Sequence, residues 1–151
     1  MATLTRAGMA LLCGAALTLA PQEGAKELQA ANRKGLALLK QGNYRDAGRE
    51  FEKALQIAER VYGPTDVRTA RLCSNLGYMY EHGYGVPCNR YEAYRLYFAA
   101  AQQNFDVAEH NLAVMYRDDC RIPAAVYWYR KAAAQGYAPS IEGLGSLGYS
   151  R

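Results

Sequence analysis

Apolar residues recur at three- and four-residue spacing along almost the whole chain beyond residue 25. In LALLKQGNYRDAGREFEKAL, Leu36, Leu39, Tyr44, Ala47, Phe51, Ala54 and Leu55 fall on the inner faces of successive helices. That period predicts helices at about 25–41, 44–60, 66–82, 90–103, 106–118, 122–135 and 138–149, and no segment alternates apolar and polar residues as a strand does. Gly, Pro and Asn punctuate the pattern. QGN (Gln41 to Asn43) and YGPTD (Tyr62 to Asp66) read as turns, and either Thr65 or Asp66 supplies a side-chain oxygen for the orphan N–H groups of the next helix. The fold class is therefore all-α.

The helices also repeat. SNLGYMY (Ser74 to Tyr80) and HNLAVMY (His110 to Tyr116) share Asn, Leu, a small residue, Met and Tyr in the same order, 36 positions apart. A helix pair that cannot bury its apolar face alone must stack on a copy of itself, and stacking demands similar residues at equivalent places. Leu76 and Leu112, Gly77 and Ala113, and Tyr80 and Tyr116 therefore read as packing positions.

Gly35, Gly42, Tyr44, Ala47, Phe51 and Ala54 have spacing that resembles a tetratricopeptide unit. LGYMYEHGYGVPCNRYEAYRLYFAAA (Leu76 to Ala101) resembles a Sel1-like repeat, with its longer G-x-G-V loop. LAVMYRDDCRIPAAVYWYRKAAAQG (Leu112 to Gly136) carries the Sel1-like ending A-x-x-W-Y-x-K-A-A-x-x-G but not the four-residue loop extension: Leu76 to Ala93 is 17 positions, Leu112 to Ala125 only 13. SIEGLGSLGY (Ser140 to Tyr149) looks like the first helix of a further unit. The resemblance covers about 28–149. It implies an α-solenoid of stacked antiparallel helix pairs with a right-handed superhelix. The units would be a TPR-like repeat at 25–65, a Sel1-like repeat at 66–104, another with a shortened loop at 105–137, and a terminal helix of a partial repeat at 138–151.

Composition changes this picture little. The 151 residues are half hydrophobic and about one-fifth charged, which excludes a disordered chain. The net charge of +4 comes from scattered residues rather than a basic run, so a nucleic-acid partner is not expected. The N-terminus does change it. Arg6 precedes an uncharged apolar run from Ala7 to Ala20, followed by small residues, the pattern of a secretory signal peptide over 1–24. Cleavage after Ala20 meets Pro21, cleavage after Ala16 is a second option, and a lipid-bearing Cys13 would follow a bulky Leu12. The expectation is an exported chain, in a bacterial periplasm or the cell exterior. Membrane association is expected only if this segment stays uncleaved.

Candidate chemistry is sparse. His82 and His110 belong to no metal-ligating spacing, and there is no C-x-x-C, G-x-S-x-G, S-x-x-K or phosphate-binding glycine loop. No catalytic residue, metal, cofactor or small-molecule substrate is expected. In tetratricopeptide-like arrays the first helix of each pair lines a concave groove, which implies Asn32, Leu36 and Leu39 in the first unit. In the second it implies Arg71, Ser74, Asn75, Tyr78 and His82, and in the third His110, Asn111, Val114 and Arg117. Asn75 and Asn111 are equivalent, and an amide can clamp a peptide backbone through both donor and acceptor. Arg71 and Arg117 can hold a carboxylate. Tyr78 and Tyr84 suit partner contact, whereas Tyr91, Tyr94, Tyr97, Tyr127, Tyr129 and Trp128 read as packing residues. Cys73 reads as a core thiol. Cys88 and Cys120 occupy equivalent loops of adjacent repeats, open either to a disulfide or to free thiols. The resemblance thus implies a non-catalytic module that binds a peptide or partner protein in its groove. The alternatives are an assembly subunit of a bacterial envelope complex, docking through the C-terminal end, and a cell-wall-acting enzyme.

Overall fold

The structure, a computed structural model, describes residues 6–150, with side chains from residue 22 onward. Seven helices and no strand lie among the described residues: α1 (Arg6–Lys40), α2 (Tyr44–Tyr62), α3 (Val67–His82), α4 (Arg90–Ala101), α5 (Asp106–Asp118), α6 (Ile122–Ala134) and α7 (Ala138–Ser146). The closest packing is between α1 and α2, α3 and α4, and α5 and α6, and each pair leans on the next through α2–α3, α4–α5 and α6–α7. The chain is an α-solenoid. Helix α1 runs back to Arg6 instead of starting near 25, continuous with the apolar run. The expected leader over 1–24 falls almost entirely on side chains outside the described residues. No helix among the described residues is long and apolar enough to cross a membrane.

Local chemistry sets the helix ends. Asp66, not Thr65, caps α3: its carboxylate accepts from the Arg68 N–H at 2.8 Å and binds the Arg68 guanidinium. Those bonds hold its carboxyl down at about 2. Asn43 and Asn89 cap α2 and α4 by accepting from Asp46 and Glu92 backbone N–H groups. Helix α4 stops at Ala101, two residues short of expectation, because the chain turns there with Asn104 at φ 54°. Helix α7 stops at Ser146, and Gly148 at φ 78° carries the turn beyond it.

The first two pairs close by seating an aromatic ring of the second helix on a glycine of the first. A Cβ on Gly35 would stand 3.1 Å from the Phe51 ring, and one on Gly77 2.9 Å from the Tyr97 ring. Ala113 and Tyr129, equivalent in the third pair, are both fully buried. Packing of this density tolerates no added methyl without movement. Two expectations change here. Tyr91 and Tyr127 do not pack: they are 76 % and 57 % exposed, because they lie on helix faces that no neighbouring helix covers. Leu36 and Tyr44 are likewise 44 % exposed, since they line a groove rather than the core.

One buried group was not legible in the sequence. Glu109 on α5 is fully buried beneath α6. Its Oε2 accepts from Gln135 Nε2 at 2.8 Å, and Lys131 Nζ stands 3.0 Å from Oε1 at an angle that forms an ion pair but no hydrogen bond.

Candidate functional site

The concave face of the first two repeats holds two adjoining hollows of about 450 and 420 Å³, both lined by Leu36 and Asn75. The larger is apolar, walled by Leu39, Phe51, Tyr44, Tyr78 and Tyr84. The smaller is the more polar, with Gln29, Asn32, Arg68 and Arg71 over an apolar floor that includes Leu28 and Leu72. Helix α3 supplies the continuous strip, since Arg71, Asn75 and Tyr78 follow at four- and three-residue spacing and share one face. Arg68 is occupied by Asp66 and lies over the Tyr62 ring. Arg71 and the side chains of Asn32 and Asn75 have no hydrogen-bond or ion-pair partner among the described residues.

The apolar hollow has a wall from an unexpected place. The four extra residues of the second repeat do not project into solvent but fold back onto the first. Gly83 ends α3 in the left-handed region at φ 69°, and the Tyr84 N–H returns to the Met79 carbonyl at 2.9 Å. Gly85 (φ 75°) then lies so close to the start of α2 that a Cβ on it would sit 1.9 Å from the Tyr44 carbonyl oxygen. Val86 packs beside Gly48, where an added Cβ would meet its Cγ1 at 3.2 Å. This docking stacks Tyr84 on Tyr44, with ring centroids 5.2 Å apart. Tyr78 completes the wall 5.9 Å from Tyr84, and His82 braces both rings while its Nδ1–H donates to the Tyr78 carbonyl at 3.0 Å.

Gly85→Ala is accordingly expected to destabilise by about 2–3 kcal/mol, because a left-handed backbone and a backbone collision coincide. It should also raise the exposure of Tyr84. Chemical denaturation checks the first, and a change of less than about 0.5 kcal/mol would show that the loop is not docked as described.

The structure separates the expected site residues into two sets. Asn32, Arg71, Asn75 and Tyr78 come together in the groove. His110, Asn111 and Arg117 turn instead toward neighbours on α4, α6 and α7. His110 Nδ1 lies 2.9 Å from Ser140 Oγ, with its ring against Tyr129 and Tyr137. Burial and then the Arg117 charge lower its affinity for a proton. Arg117 pairs with Asp118 at 3.0 Å and reaches the Tyr129 hydroxyl at 3.4 Å. The Asn111 amide lies near the Tyr97 phenol, where it acts weakly against the upward push of burial and Glu81. The two equivalent asparagines differ in the ring that the preceding repeat supplies: Phe51 of the first borders the hollow together with Asn75, whereas Asn111 lies near Tyr97 of the second. Phe51 offers no hydroxyl, so Asn75 keeps its hydrogen-bonding capacity for the groove.

The Cys88–Cys120 bridge is not formed. All three described cysteines are free, the Cys88 thiol donating to the Glu81 carbonyl of its own repeat at 3.2 Å while Cys120 sits in a left-handed turn at φ 59°. Cys73 is buried, which pushes its thiol up to about 11 and keeps it a core group. Tyr44, Gln29 and Arg68 were not named for the groove; Gln29 and Arg68 lie one turn before Asn32 and Arg71 on the same helices, whereas no periodicity says that the start of α2 turns toward the face of α3. No group of acidic, His and Cys side chains suited to a metal occurs among the described residues.

Comparison with known proteins agrees with this architecture. A tetratricopeptide repeat model matches residues 26–83, and a Sel1 repeat model matches twice, at 70–105 and 106–137. A putative sel1-like repeat-containing protein L21 of Acanthamoeba polyphaga mimivirus is 31% identical over 64 residues, 42% of this chain and 12% of that protein. The crystal structure of a Sel1 repeat protein from Oxalobacter formigenes superposes with a TM-score of 0.60 at 28% identity, covering 77% of this chain and 45% of that one. The chain thus spans less than half the length of either relative. With seven helices among the described residues stacked into a solenoid and overlapping repeat matches that together cover 26–137, the chain is a Sel1-like repeat protein of the tetratricopeptide-repeat-like superfamily.

Proposed function

We propose that this protein is a non-catalytic interaction module that takes a peptide or a segment of a partner protein into the groove between α1 and α3. Repeats of these two kinds generally mediate protein–protein interaction. The observation that carries the finer reading is the groove itself, where unpartnered amides and a free guanidinium adjoin an open apolar hollow walled by tyrosines. The apolar part of such a surface is costly to leave in water, and the whole suits a chain that brings both polar backbone and apolar side chains. The reading includes no catalysis, and the partner is a protein rather than nucleic acid or a small metabolite. The N-terminal pattern supports export to a periplasm or the cell exterior. A periplasmic fraction holding only full-length mass would argue against leader removal.

Site-specific photo-cross-linking tests the site. A benzophenone side chain at position 78 should capture a partner, and one at position 91, on the exposed face of α4, should not. Capture from position 147, after α7, with none from 78 would instead favour the assembly-subunit reading.

A further inference from the structure

Resting on the groove reading, we infer that the preferred occupant is an extended peptide segment carrying a carboxylate about three residues from a large apolar or aromatic side chain. Two independent features of the groove fix this chemistry. The first is charge. The polar hollow is lined by Arg68 and Arg71 and by no Asp or Glu. Arg68 is already neutralised by Asp66, but Arg71 has no anion among the described residues. A guanidinium held open beside two free amides is complementary to a carboxylate whose adjoining backbone the amides bind.

The second feature is the aromatic wall. Tyr44, Tyr78 and Tyr84 are each 38–47 % exposed and border the apolar hollow above Phe51. Edge-on hydroxyls with apolar ring faces bind large side chains at little entropic cost. This wall exists because the loop extension of the second repeat folds back on α2. The third repeat has no extension, so the apolar hollow belongs to this one junction. The loop therefore sets where the apolar side chain sits, and Arg71 sets where the acid sits.

Spacing links the two. Arg71 and Tyr78 are seven residues apart on α3, which is ~10 Å along the helix axis. An extended chain advances ~3.3 Å per residue, so ~10 Å corresponds to about three residues. Asn75, between them, meets the intervening backbone.

A positional-scanning library of acetylated, amidated hexapeptides, read by fluorescence polarisation on the full chain, tests the inference. Wild type should select Asp or Glu about three positions from Phe, Tyr, Leu or Met. Arg71→Ala should weaken the acidic peptides by about tenfold and abolish the distinction between Asp and Asn, the loss of one charge-assisted contact. Tyr84→Ala should erase the apolar preference and leave the acidic one. Selection without an acidic preference, or an acidic preference that survives Arg71→Ala, overturns the inference. If no hexapeptide binds although position 78 cross-links a partner, the peptide chemistry is wrong and the groove reading stands. Absence of any cross-link from position 78 removes both.

Discussion

Tyr97→Ala is expected to lower the unfolding free energy by about 3–5 kcal/mol, the range for truncating a fully buried ring. Tyr97 fills the space left by Gly77 and has no exposed surface. Its hydroxyl donates to Glu81 at 2.8 Å, and burial together with that carboxylate holds the phenol well above the ordinary tyrosine range. Alanine would open a cavity at the centre of the second repeat and release both Glu81 and Asn111 from the ring. Against a typical total of about 5–15 kcal/mol, the loss falls at the joint through which neighbouring repeats are coupled. Denaturant unfolding should therefore show a lower midpoint and a broadened or split transition. Tyr97→Phe separates the two contributions: it keeps the ring, loses one hydrogen bond, and should cost about 1 kcal/mol. A Tyr97→Ala variant within about 1 kcal/mol of wild type would contradict the packing described for α3 and α4.

Lys131→Ala should cost about 3 kcal/mol, the lower end of what breaking a buried ion pair costs, because the ammonium lies near the surface while its partner does not. Lys131 is 31% exposed at its side chain, whereas Glu109 is wholly enclosed. Removal of the lysine leaves a carboxylate beneath α6 with Gln135 as its remaining hydrogen-bond partner. The energy lost is chiefly that of stranding a charge. Glu109→Met together with Lys131→Met removes both charges and replaces them with volume, so the double variant should recover most of the stability lost by Lys131→Ala. A double variant less stable than Lys131→Ala would mean that the pair itself stabilises α5 against α6. Thermal and urea unfolding of the two variants decide the matter.

The helices and their pairing were legible because both rest on local rules. Apolar residues at a 3.6-residue period, turn residues at fixed places and cap side chains at Asn43, Asp66 and Asn89 act over a few positions. The repeat of Leu, a small residue and Tyr in SNLGYMY and HNLAVMY then follows from stacking alone. Asn32, Arg71, Asn75 and Tyr78 were placed on one face by the resemblance, and three- and four-residue spacing explains why the three on α3 share it.

What the sequence left open depends on contacts between distant segments. Asn75 and Asn111 are indistinguishable along the chain. Only the stacked structure shows that one shares a hollow with Phe51 while the other lies near the Tyr97 hydroxyl, so that Asn75 stays open to the groove. The extension GYGV reads as a solvent loop until the backbone of Gly85 is seen against Tyr44. Glu109 reads as a surface residue until Lys131 and Gln135 close over it. By itself, then, the sequence determined the repeat and its helices, because local periodicity carries that information, while the face of the groove came from the resemblance. The tertiary structure decided which polar groups remain unsatisfied and where the tyrosine wall stands, because satisfaction and burial depend on which segments the fold brings together.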